Sequence, residues 1–98
     1  MKAVFISYNQ ALTDRINAIL DNQGVRGFTR WALTEGRGSN NGEPHYGTHA
    51  WPSMNSSVLA IMEDERVRGV LDALHELDRT TEMQGSRAFV WNIEEVSE

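Results

Sequence analysis

Residues 2–8, KAVFISY, are apolar on both alternating sets of positions, with Val4, Ile6 and Tyr8 on one and Ala3 and Phe5 on the other. The β-branched and aromatic content of the run, closed by Asn9, predicts a strand. Successive side chains of a strand point to opposite faces, so this one needs cover from both sides. Residues 55–63, NSSVLAIME, repeat the pattern, with Leu59 and Ile61 set against Val58, Ala60 and Met62. A fold built on these two strands requires apolar layers above and below the sheet.

The rest of the chain offers material for one of those layers. Asn9 is a suitable N-cap, and Leu12, Ile16, Ile19 and Leu20 recur at helical spacing until Gly24 supplies a stop. Asp64 is the expected cap of a second helix, along which Val67, Val70, Leu71, Leu74 and Leu77 form one stripe. Residues 25–38 predict a strand that frays into glycines, and residues 87–93 predict a last strand. The order β-α-β-β-α-β is that of an α+β, ferredoxin-like domain, a four-stranded antiparallel sheet with two helices on one face. Whichever set the helices leave uncovered, the bare face would be apolar. Burying one Val, Ile or Phe contributes about 1.5–3 kcal/mol, a large share of a margin of about 5–15 kcal/mol. Another copy of the chain is therefore expected to cover that face.

Composition removes several functions. The 98 residues are expected to form one domain, 1–98. A net charge of −5 without any cluster of Lys and Arg argues against nucleic acid as a partner. No window approaches the roughly 20 apolar residues of a membrane span, and the start MKAVFISYNQ lacks the apolar core of a signal peptide, so a cytoplasmic protein without membrane insertion is expected. With no cysteine, any metal must be held by imidazole, carboxylate, thioether or backbone oxygen.

The polar connection at about 36–54 contains GEPHYGTHAWP, with His45 and His49. Pro44, Gly47 and Pro52 argue against a helix here. Extended chain, at about 3.3 Å per residue, would hold the two Cα atoms roughly 13 Å apart. A turn at Tyr46-Gly47 would instead bring both imidazoles to one ion, and glycine permits such a turn. Imidazole suits zinc and copper, and Glu43 can add an oxygen. A closed site wants four ligands, which leaves Glu63, Asp64, Glu65 or water to complete it. The competing reading is that both histidines hydrogen-bond the loop while Trp51 packs it down. Arg37, flanked by Gly36 and Gly38, can bind an anion bidentately. Trp31 and Trp91 are expected in core or interface packing, and His75 on the outside of the second helix.

Several segments, taken in this order, resemble the PII signalling family. They are Gly24-Val25-Arg26-Gly27-Phe28-Thr29 with Glu35-Gly36-Arg37-Gly38; Glu63-Asp64-Glu65-Arg66-Val67; and Arg79-Thr80, Gly85, Arg87-Ala88-Phe89-Val90 with Ile93-Glu94-Glu95-Val96. The resemblance runs through nearly the whole chain. It implies a homotrimer whose sheets pack inward, ligand clefts between subunits, and a shortened T-loop at about 36–54. The family's B-loop, T-G-K-I-G-D-G-K, is replaced by Thr80-Thr81-Glu82-Met83-Gln84-Gly85-Ser86-Arg87, which keeps one glycine and Arg87 as the cation. A phosphate cradle needs convergent N–H groups and a cation, so this departure points away from the family's usual nucleotide sensing. The segments Gly36-Arg37-Gly38-Ser39, Gly42-Glu43-Pro44-His45, Gly47-Thr48-His49-Ala50-Trp51-Pro52 and Phe89-Val90-Trp91-Asn92-Ile93 resemble a PII-like branch that accompanies heavy-metal efflux pumps of the RND type. That resemblance implies a metal-linked regulator with a membrane transporter as partner.

Three functions follow, in descending order. The first is a PII-like regulator that binds zinc or copper through His45, His49 and Glu43. The second is an adenine-nucleotide sensor using Gly36, Arg37, Gly38 and Arg87 in an intersubunit cleft. The third is a small ferredoxin-like oxygenase or isomerase with His45 or His49 as general base. No nucleophile, base and orienting group can be assembled from the sequence, so an enzyme is not expected.

Overall fold

The chain folds as β1 (Lys2–Asn9), a 3₁₀ turn (Gln10–Leu12), α1 (Thr13–Asn22), β2 (Phe28–Thr34), β3 (Asn55–Met62), α2 (Asp64–Thr80) and β4 (Ser86–Asn92). The computed structural model describes residues 1–37, 44–47, 54–81 and 85–97. The strands lie in the order β2-β3-β1-β4, and every neighbouring pair is antiparallel. This is the expected βαββαβ sheet.

Directly opposed residues of neighbouring strands share a face. Val4 lies opposite Ala60 and Val90, and Ile6 lies opposite Val58 and Ala88. Apart from Val90, which is exposed at the edge, these rows meet Leu12, Ile16 and Leu20 of the first helical segment and Val70, Leu74 and Leu77 of α2 in the core. The other set forms the open face, where Phe5 lies between Leu59 and Phe89 and Ala3 lies between Ile61 and Trp91. Trp31, opposite Ser57, belongs to the same face. Trp31, Ile61, Phe89 and Trp91 are 46, 40, 53 and 48% exposed, so the apolar second face expected from the sequence stands bare in the single chain.

The helix boundaries have local causes. Asn9 is the capping residue, its Oδ1 accepting from the Ala11 N–H at 2.9 Å, but what it caps is the 3₁₀ turn. Gly24 ends α1 with φ at 75°, and the N–H groups of Gly24 and Val25 donate to Asp21 and Leu20 carbonyls at 3.0 and 2.8 Å. These are the paired bonds of a Schellman stop. They use Val25, which is buried in the core, and the strand expected over 25–38 therefore begins only at Phe28. Its regular pairing fails between Trp31 and Thr34, where the Ser56 hydroxyl donates to the Ala32 carbonyl at 2.5 Å. The expected cap at Asp64 is displaced by one residue. Glu63 occupies the cap position, and Asp64 Oδ1 sits 3.0 Å from the Met1 ammonium. The hydrogen bond and charge of that ammonium hold the Asp64 carboxyl below its ordinary pKa.

One polar cluster ties edge strand β2 to α1. Arg30 Nε donates to the buried Tyr8 Oη at 2.9 Å, and Arg30 Nη2 donates to Asn17 Oδ1 at 2.6 Å. The guanidinium also lies 4.8 Å from the centre of the Phe28 ring. Tyr8→Phe removes the acceptor of a charged, partly buried donor and is expected to cost about 1–3 kcal/mol. Urea unfolding followed by circular dichroism checks the value; an unchanged midpoint would show that the hydroxyl contributes nothing.

Candidate functional site

One end of the sheet gathers the C-termini of β1 and β2 and the N-termini of β3 and β4. Beyond the irregularity in β2, Gly36 and His45 exchange both backbone bonds, Gly36 N–H to the His45 carbonyl at 3.1 Å and His45 N–H to the Gly36 carbonyl at 2.7 Å. Tyr46 then bridges antiparallel to Met54. Residues 45–46 thus link the outgoing and returning limbs of the connection and form its neck. Pro44, ahead of them, is buried, whereas His45 and Tyr46 are half-buried.

His45 Nδ1 lies 2.5 Å from Asn55 Oδ1. Asn55 opens β3 and is paired with Asn9 of β1 and Thr34 of β2, so its position is set by the sheet. Its amide fills the space above Gly36, where an added Cβ would come within 2.6 Å of Asn55 Nδ2. A side chain at 36 would therefore have to displace that amide. Gly47 has φ at 68°, the left-handed conformation expected of a turn after Tyr46.

The same end carries the segment before β4. Asn9 N–H donates to the Gly85 carbonyl at 3.2 Å, while Gln10 N–H donates to the Met54 carbonyl at 2.9 Å, so the turn after β1 touches both segments. Asp78 Oδ1 accepts from the Ser86 N–H at 2.9 Å and from the Ser86 hydroxyl at 3.0 Å, pinning the start of β4 to α2. Arg87 follows, exposed, on the open face opposite Ser7. Arg37 is exposed beside Gly36. β2 and β4 are opposite edges of the sheet, and three strand spacings of about 4.8 Å put them roughly 14 Å apart. One chain does not bring the two arginines together.

Of the expected metal ligands, the structure describes His45, while Glu43, His49 and also Gly38 lie outside the described residues. Among the described residues no three His, Asp or Glu side chains gather as a metal-binding group. Glu63, Asp64 and Glu65 sit at the far end of β3, away from the neck, and so do not complete a site with His45 in the same chain. His75 is exposed on α2, as expected.

Sequence reasoning missed Asn55, because an asparagine opening an apolar run reads as a strand boundary. Only the return of the loop onto Gly36 makes it a partner of His45. It also missed a cleft of about 170 Å³ at the other end of the sheet, lined among others by Arg26, Gly27, Glu63 and Arg66. Arg66 Nη1 donates to the Gln23 carbonyl there at 2.7 Å. Small-molecule sites usually measure about 300–1,000 Å³, so this cleft is undersized by itself. Among the described residues no helix is long and apolar enough to cross a membrane.

The family model described as nitrogen regulatory protein P-II matches residues 1–98. The chain is similar in structure to a protein of Thermus thermophilus described as PII-like and signalling, with 23% identity, a TM-score of 0.67, and coverage of 94% of this chain and 85% of that one. It is also similar to CPII, a nitrogen regulatory PII-like protein of Thiomonas intermedia bound to ADP, AMP and bicarbonate, with 18% identity, a TM-score of 0.72, and coverage of 96% and 88%. A CPII structure with ADP, AMP and acetate gives 17% identity and a TM-score of 0.66 over 91% and 81% of the two chains. No curated protein matches the chain in sequence. At these identities the structural likeness speaks to the fold.

Proposed function

We propose that this chain, which belongs to the nitrogen regulatory protein P-II family, is a non-catalytic signalling regulator that works as a homotrimer and reports a bound effector through residues 36–54. In this reading residues 1–98 are one domain and the loop is a shortened T-loop. The trimer accounts for the open face, whose exposed Trp31, Ile61, Phe89 and Trp91 need a cover that the two helices do not supply.

The effector favoured by the neck is a transition-metal ion, zinc or copper. The observation that carries this reading is His45, held in a bridge at the base of the loop, with one ring nitrogen engaged by Asn55 and no hydrogen-bond partner for Nε2 among the described residues. Imidazole nitrogen suits both ions. One ligand does not make a site, and His49 and Glu43 are the proposed companions, with the left-handed Gly47 turning the chain between the histidines. A bound ion would supply the charge that ties the loop down. The proposed partner is a membrane transporter of the metal-efflux type, as the resemblance of the loop implies.

Adenine nucleotide is the alternative effector, supported by the ADP and AMP bound to CPII. Here Arg87 of one copy would face Gly36, Arg37 and Gly38 of the next, since one chain keeps these groups at opposite sheet edges.

Calorimetry with zinc, copper(II), ADP and AMP separates the two. The metal reading expects a micromolar Kd, about −8 kcal/mol, lost in His45→Ala and in His49→Ala. The nucleotide reading expects ADP binding that Arg87→Ala weakens and His45→Ala leaves alone. Metal affinity that survives both histidine substitutions removes the assigned ligands, and silence from all four compounds removes both effectors.

A further inference from the structure

We propose that Asn55 is the positioning residue of the loop site, holding His45 in the tautomer that carries its proton on Nδ1 and leaves Nε2 as the donor atom for a transition-metal ion. The proposal rests on the metal reading above and adds to it the ligating atom and the residue that selects it.

Asn55 presents Oδ1 to the ring at 2.5 Å, while Nδ2 lies over Gly36. A carboxamide oxygen only accepts, so His45 Nδ1 must carry the hydrogen, and the neutral ring then keeps its lone pair on Nε2. Unconstrained histidine in water prefers the opposite tautomer, with hydrogen on Nε2, so the bond changes which nitrogen is available. Both partners are held independently of it. The His45 backbone is fixed by two bonds to Gly36, and Asn55 is fixed between β1 and β2. Ligating histidines characteristically donate their second N–H to such an oxygen, which sets the tautomer and the ring orientation. The bare glycine at 36 leaves room for the amide that does so here.

The test is ¹⁵N NMR of the imidazole rings in metal-free protein at neutral pH, where two-bond correlations identify the protonated nitrogen, together with zinc titration of the same samples. Wild type is expected to show hydrogen on His45 Nδ1. Asn55→Ala is expected to move it to Nε2 and to weaken zinc binding about 10–100-fold. Asn55→Asp keeps an acceptor oxygen and should restore both. Gly36→Ala provides a second route that leaves Asn55 in the chain, because its new Cβ displaces the amide and should produce the same tautomer change. An Nε2–H ring in wild type overturns the proposal, as does a ring that Asn55→Ala and Gly36→Ala leave unchanged. If the tautomer behaves as expected and zinc does not bind, Asn55 positions His45 and the metal reading is what fails.

Discussion

Phe89→Glu is expected to convert the trimer proposed above into monomers in light scattering, with the far-ultraviolet circular dichroism of the subunit retained. Phe89 stands opposite Phe5 at mid-length of edge strand β4, on the open face, with Trp91 two residues along the same strand and Leu59 across β1. It is 53% exposed in the single chain, so a charge there meets water in the monomer and costs little. In an assembly sealed through this face, the same carboxylate would be buried without a partner. An unpaired buried charge costs several kcal/mol even after relaxation, and the apolar contact of the lost ring is forfeited as well. Trp31 and Trp91 lie on the same face, so their fluorescence should shift to longer wavelength as the assembly opens. A wild-type protein that is already monomeric at tens of micromolar would remove the premise.

Ile16→Ala should do the reverse, lowering stability sharply while the assembly remains. Ile16 is fully buried, and α1 meets the core through little more than Ile16 and Leu20, with Leu12 just ahead of it. Truncating a buried Ile costs about 2–5 kcal/mol, a large part of the about 5–15 kcal/mol that small domains have. At about 4–8 °C per kcal/mol in a chain of this size, the Tm should fall by about 10 °C or more. The helix layer and the open face are on opposite sides of the sheet, so the variant should still run at trimer mass when folded. Loss of trimer mass with an unchanged Tm would show that the two faces have been assigned the wrong way round. Read together, the two variants test the division of the sheet into a core face and an assembly face.

The presence of two apolar sets was legible in the sequence because a strand's alternation is local, but which set met the helices was not: the structure sends Val4, Ile6 and Tyr8 to them and Ala3 and Phe5 to the open side. The Gly24 stop was legible for the same reason, since a Schellman turn needs only a few consecutive residues. The ends of β2 were not. Its start depends on Val25 being drawn into the helix stop, and its finish depends on a mismatch with β3 near Ser56. The partnership of Asn55 with His45 was less legible still, because it exists only once the returning limb has met Gly36. The histidine itself was picked out by residue type, and the residue that governs its chemistry was not. His49 and Glu43, outside the described residues, are proposed for the site on spacing and residue type alone.

The break in pairing between Trp31 and Thr34 has a structural consequence. β2 is an edge strand, joined to the sheet by β3 alone, and its regular ladder has already failed before the chain reaches the neck. The half from Phe28 to Trp31 is anchored, through Arg30 and Tyr8, to the layer under α1. The half beyond Thr34 runs on into the bridge between Gly36 and His45. The break lies on one edge of the sheet, three strand positions from β4 and Phe89 on the other. In the proposed trimer, the break therefore separates the loop end of β2 from the half of the strand that carries Trp31 into the assembly face.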